Sequence, residues 1–146
     1  MTMLLLSATA ALGAGSAAYF GNRVLLGAFG RIAMVLAVPW WEEACKTVGF
    51  ALLPGASVLL IHLLFGCMEL TYDVMRSRTN GRFLGALSLV SHGLIGSVAA
   101  LGLSYTVSLA WMYAFAGLTH CLLNAATLRF VLPSLGADPQ VHLDKW

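Results

Sequence analysis

Apolar residues fill this chain in long blocks, and the breaks between them carry turn chemistry. Residues 3 to 20 are apolar and rich in Ala and Gly. A second block runs from about Val24 to Leu53, a third from about Ala56 to Met75, a fourth from about Phe83 to Leu103 and a fifth from about Val107 to Val131. The third, fourth and fifth are each near the ~20 residues a helix needs to cross ~30 Å of hydrocarbon, and the whole pattern predicts about five transmembrane helices. Pro54-Gly55, Asn80-Gly81 and the polar stretch Ser104 to Ser108 separate the later blocks. Pro39 interrupts the second, where its missing backbone donor should kink the helix or start a new one. Ala10, Ala14 and Ala18 repeat at four-residue spacing, an edge of small side chains suited to close helix packing.

The ionisable residues inside these blocks fall at one depth. Glu43, Glu69, His92 and His120 are separated by 26, 23 and 28 residues, and the midpoints of those intervals lie at residue 56, between Asn80 and Gly81, and at residue 106. Antiparallel helices folded about those turns bring all four side chains to one level. Such groups are costly in hydrocarbon, roughly 2.5–3.5 kcal/mol for each charge at a helix centre, so they must be paired, protonated or hydrated. Helical steps put His62, Phe65, Glu69 and then Tyr72 with Asp73 on one stripe, Gly85, Ser88, His92 and Gly96 on another, and Gly117, His120, Asn124 and Thr127 on a third. Adjacent Glu42 and Glu43 point about 100° apart, so their roles should differ, and Lys46 can reach either as an ion-pair partner. Asp73 is expected to pair with Arg76 or Arg78, while Glu69, deeper, has no such cationic neighbour nearby on its own helix.

Composition agrees with a membrane protein. Hydrophobic residues make up 60% of the 146 and charged ones only 10%, against roughly 25% charged in soluble domains. One domain is expected, a transmembrane bundle over residues 1–132 with a short cytoplasmic tail at 133–146. The cations gather as Arg23 with Arg31, then Arg76, Arg78 and Arg82, then Arg129 with Lys145. The positive-inside bias makes those groups cytoplasmic and the N-terminus external. A missing basic segment before residues 3–20 argues against a cleaved signal peptide. Cys45, Cys67 and Cys121 are odd in number and lie within spans, which favours apolar filling over a disulfide framework. Nothing in the sequence suggests nucleic-acid binding.

Ordered motifs on successive helices then suggest a chemistry. The string Trp40-Trp41-Glu42-Glu43-Ala44-Cys45-Lys46 resembles the EExxK motif of PrsW-type intramembrane proteases, relatives of the type II CAAX prenyl endopeptidases. Phe65-Gly66-Cys67-Met68-Glu69 is similar to their FxxxE, and His120-Cys121-Leu122-Leu123-Asn124 resembles the HxxxN or HxxxD of that superfamily. His92 is followed four positions later by Gly96 instead of a hydroxyl residue, and Asn124 stands where many PrsW-like members have Asp. The resemblance implies an endopeptidase of the glutamic type. Glu42 or Glu43 would activate water, Glu69 would assist, and His120 with Asn124 would stabilise the oxyanion. His92 would orient water or substrate, or protonate the leaving amine; Phe65, Tyr72 and His62 would line the substrate. The expected partners are the lipid bilayer and a membrane-anchored or lipidated peptide, and the expected location is a prokaryotic inner membrane.

No cofactor is required by this reading. Glu69, His92 and His120 nevertheless satisfy a two-His, one-carboxylate ligand set, so a zinc-dependent hydrolase is an alternative. A non-catalytic interaction subunit or pseudoenzyme, whose polar groups hold helices together, is another. A proton or ion pathway needs groups strung across the bilayer, and here only His62 extends the row.

Overall fold

The computed structural model describes residues 2–76, 80–106, 108–131 and 133. All regular structure among them is helical: α1 (Met3–Ile32), a π-helical stretch (Ala33–Ala37), α2 (Val38–Leu52), α3 (Val58–Arg76), α4 (Gly81–Thr106), α5 (Leu109–Ala126) and a second π-helical stretch (Thr127–Val131). The expected tail at 133–146, apart from residue 133, and the side chains of Arg76 and Arg78, the expected partners of Asp73, lie outside the described residues.

Among the described residues, four helical stretches are long and apolar enough to cross a membrane: Met3–Leu52, Val58–Met75, Gly81–Thr106 and Leu109–Val131. The first, 50 residues long, would extend ~75 Å if straight. It bends back instead at Gly30, whose φ of 54° and ψ of −133° belong to a region that glycine alone enters readily. Beyond the bend α2 returns antiparallel to α1. Trp41 Nε1 donates to the Ala17 carbonyl at 3.2 Å, and Gly49 lies against Ala10. The first helix thus runs well past residue 20, where the apolar pattern suggests its end. Residues 21–29 hold no breaker, and the one charge among them, Arg23, is exposed on the outer surface.

Pro39 stands at the start of a new helix, one of the two outcomes expected of it. It is the second residue of α2 and follows the π-helical stretch, in which the Val38 N–H reaches the Ala33 carbonyl. The next carbonyl in that register, Met34 O, would take its donor from residue 39, and proline has none. Asn124 Nδ2 supplies the missing hydrogen bond from α5 at 3.0 Å.

Small residues set the helix spacing, as close packing in lipid requires. α1 buries Ser7, Ala10, Ala11, Ala14, Ala18, Asn22 and Leu26 as one stripe. Ser7 Oγ accepts the Ser57 N–H at 2.9 Å, which ties α1 to the turn before α3. A Cβ on Gly85 would lie 2.9 Å from Leu70 Cα, one on Gly96 2.7 Å from His62 Cβ, and one on Gly117 2.4 Å from the Trp40 ring. Those contacts fix the register of α3 on α4 and of α5 on α2. Large apolar side chains such as Leu12, Phe20, Leu94 and Leu122 point outward. The Gly30 bend, the start of α4 and the end of α5 share one end of the bundle, where Arg31, Arg82 and Arg129 are exposed.

Candidate active site

The polar stripes of the five helices meet inside the bundle. Glu42, Glu43, Lys46, His62, His92 and His120 are all at least nine-tenths buried. Glu43 is the hub. Its Oε1 accepts from Lys46 Nζ at 2.6 Å and from His120 Nδ1 at 3.0 Å, and its Oε2 pairs with His62 Nε2 at 2.8 Å. His62 Nδ1 donates to the Val58 carbonyl at 2.9 Å, so this branch ends on the backbone.

A second branch starts at Lys46, which donates to His92 Nδ1 at 3.3 Å and sits 4.1 Å from the centre of the Phe65 ring. An ammonium is donor-only, so His92 accepts at Nδ1 and carries its proton on Nε2. That Nε2–H donates to Glu69 Oε2 at 2.9 Å, and Ser88 Oγ donates to the same oxygen. Glu69, with no basic partner within a turn on α3, finds its partners across the helix interface on α4. The His92 and His120 rings meet edge to face at 5.2 Å.

Glu42 is held differently. Asn22 Nδ2 donates to its Oε1 at 2.7 Å. Its Oε2 is buried without a hydrogen-bond partner, 3.7 Å from His120 Nε2 and 4.0 Å from Lys46 Nζ. The roughly 100° between adjacent helical positions turns Glu43 into the polar cluster and leaves Glu42 on the wall of a cavity of about 130 Å³. Glu69, Ser88, His92, His120 and Asn124 share that wall, and the cavity extends to Asp73 and Thr127 toward the arginine-bearing end.

One gap in the cluster has no fixed donor: Glu42 Oε2 stands 3.7 Å from His120 Nε2, beyond hydrogen-bond range.

The geometry sorts the residues anticipated from sequence. Glu42, Glu69, His92, His120 and Asn124 border the cavity with Tyr72, whereas Glu43 and Lys46 stand behind it. Phe65 packs on His92 and Lys46. His62 lies in the cluster on Glu43 and Val58, where it serves as a strut. Asn124, expected at the oxyanion, directs one N–H to Met34 O. The ligand atoms that converge within 4.8 Å of one another belong to Glu42, His92 and His120, so the metal alternative uses Glu42 in place of Glu69. Of the cysteines, Cys121 is buried and Cys45 half-buried, as filling residues would be, but Cys67 is exposed. Two residues escape the sequence reading, Asn22 and the role of Ser88. The signal for Asn22 is its place four residues after Ala18 on the buried stripe of α1.

Comparisons with family models, curated proteins and solved structures find no match to this chain.

Proposed function

We propose that this protein is an intramembrane peptidase in which Glu42 activates water against a membrane-borne peptide, as the resemblance to PrsW-type proteases implies. The bundle then crosses a prokaryotic inner membrane five times, with its N-terminus outside and its arginine-bearing end, onto which the cavity opens, in the cytoplasm. One observation carries the reading: in Glu42, a residue that lines the cavity, the carboxylate oxygen Oε2 is buried without a hydrogen-bond partner, 3.7 Å from His120 Nε2.

In the proposed step a water bonds at about 2.8 Å to Glu42 Oε2. Glu42 takes a proton from it as the hydroxide oxygen attacks the scissile carbonyl carbon. His120, with a proton on Nε2, donates to the oxyanion that forms. Collapse of the tetrahedral species breaks the C–N bond, and the proton on Glu42 passes to the leaving amine. Glu43 holds His120 by Nδ1, and Asn22 holds Glu42 by Oε1, so both reacting groups are oriented from behind. Glu69 and His92 shape the far wall.

The test is cleavage of membrane-anchored peptides by protein reconstituted in liposomes. Glu42→Gln and His120→Ala are expected to lose at least 10³-fold in turnover while still inserting and folding. Cleavage that survives both substitutions removes the proposal. Binding of the peptides without any cut product from wild type favours the interaction-subunit reading.

The converging Glu42, His92 and His120 favour a second reading, a zinc hydrolase. The outer contacts suit it, since Glu43 orients His120 and Glu69 orients His92. Lys46 opposes it, because its ammonium occupies the direction of the His92 Nδ1 lone pair. If present, zinc would polarise the scissile carbonyl. One equivalent of zinc in the purified protein supports this reading, and full activity in strong chelator excludes it.

A further inference from the structure

Glu42 has a second approach. A cavity of about 140 Å³ lies in the seam between α1 and α3, and Glu42, Glu69 and Tyr72 line it as well as the polar one. Its remaining walls are mostly apolar, from Gly15, Ala18, Phe65 and Met68. A dry cavity of about 150 Å³ holds one benzene ring, so this one has room for a single large side chain. It is far too narrow for a helix about 10 Å across.

One polar atom gives the occupant a chemistry. Asn22 lines the cavity and is 2% exposed. Its Nδ2 bond to Glu42 fixes the amide orientation, which leaves Oδ1 buried without a hydrogen-bond partner. An amide oxygen only accepts, so the missing partner is a donor. A hydrocarbon tail offers none. An extended peptide offers both an apolar side chain and, one bond from its Cα, an N–H.

We infer that the α1–α3 cavity is a specificity pocket that takes one large apolar side chain of a peptide, with Asn22 Oδ1 accepting the N–H of an adjoining backbone amide. The substrate class rests on the hydrolase reading above, but occupancy of the pocket does not require turnover. Gly15 and Met68 gauge its size, because a Cβ on Gly15 would lie 2.6 Å from Met68 Cε and narrow the space.

Peptides with a Leu/Ala membrane anchor and a Gly/Ser extension carrying one varied residue provide the probe. Binding is measured on the reconstituted His120→Ala variant and cleavage on wild type. Leu or Phe at the varied position is expected to bind at least tenfold more tightly than Gly. N-methylation of one amide beside that residue should remove about tenfold, and an ester at the same place should do likewise. Gly15→Ala should weaken Phe binding relative to Ala by tenfold. Met68→Ala should shift preference toward side chains larger than Phe, and it serves alone if Gly15→Ala does not fold. Binding that ignores the varied side chain, that survives N-methylation at every position, or that is absent for the whole panel overturns the pocket. Binding that retains affinity when the peptide extension is replaced by an acyl chain also overturns it. A peptide that binds as described yet is never cut by wild type leaves the pocket standing and removes the hydrolase reading.

Discussion

At the scale of single residues, two adjacent glutamates carry separate duties that their spacing alone announces but does not assign. Glu43 receives three buried partners, and removing one side of such a pairing costs about 3–5 kcal/mol because the other charges remain buried. Glu43→Gln should therefore lower stability by several kcal/mol, read as detergent-resistant unfolding. Glu42→Gln keeps an oxygen for Asn22, and is expected to stay within ~1 kcal/mol of wild type while abolishing turnover. Equal destabilisation by both substitutions would contradict this division. Lys46→Met should be nearly as damaging as Glu43→Gln alone, and the double variant should be less damaging than the two costs summed, since the ion pair disappears as a unit. The acids and imidazoles were legible in the sequence because charge is rare and expensive in apolar segments. Asn22 was not, since a neutral amide on an alanine stripe differs little from its neighbours in hydropathy. Which glutamate faces the cavity depends on the rotation of α2, and no local pattern encodes that.

At the scale of helices, the later turns were visible because Pro-Gly and Asn-Gly pairs have restricted backbone chemistry. The first turn was missed because a lone glycine among apolar residues carries no such mark. Gly30→Ala should cost about 1–3 kcal/mol by forcing a side chain into a glycine-only conformation, whereas Gly27→Ala, on the same helix with open space around it, should be neutral or stabilising; the same unfolding assay compares them. Proline was legible as a break but its repair was not, since the partner lies on another helix 85 positions later. That repair predicts a coupling. Asn124→Ala should lose about 1–3 kcal/mol by orphaning the Met34 carbonyl, and the same change on top of Pro39→Ala should lose much less, because residue 39 then offers its own N–H. A cycle with no coupling between the two positions would mean that Asn124 serves the site and not the helix.

At the scale of the whole molecule, the site works only if its polar mouth meets water, and that depends on how many times the chain crosses. Folding about the turns near residues 55, 80 and 106 was readable from charge spacing, since the pairings Glu43–His120 and Glu69–His92 do form. The parity of the first 50 residues was not, because one unbroken helical stretch and a hairpin share the same hydropathy. If the Gly30 bend makes Met3–Leu52 a full hairpin, Thr2 and Tyr105 lie on one face of the membrane and Phe130 on the other. If that stretch crosses only once, Thr2 and Tyr105 lie on opposite faces. Single cysteines at those three positions, in a background with Cys45, Cys67 and Cys121 replaced by Ala, distinguish the cases by labelling with an impermeant maleimide. Tyr105 and Phe130 are 83% and 67% exposed, so reactivity reports the side of the membrane and not burial. The expected result is labelling of Thr2→Cys and Tyr105→Cys on intact spheroplasts, with Phe130→Cys labelled only after permeabilisation. The reverse pattern would put the cavity mouth and its arginines outside, and would require substrates presented from that side.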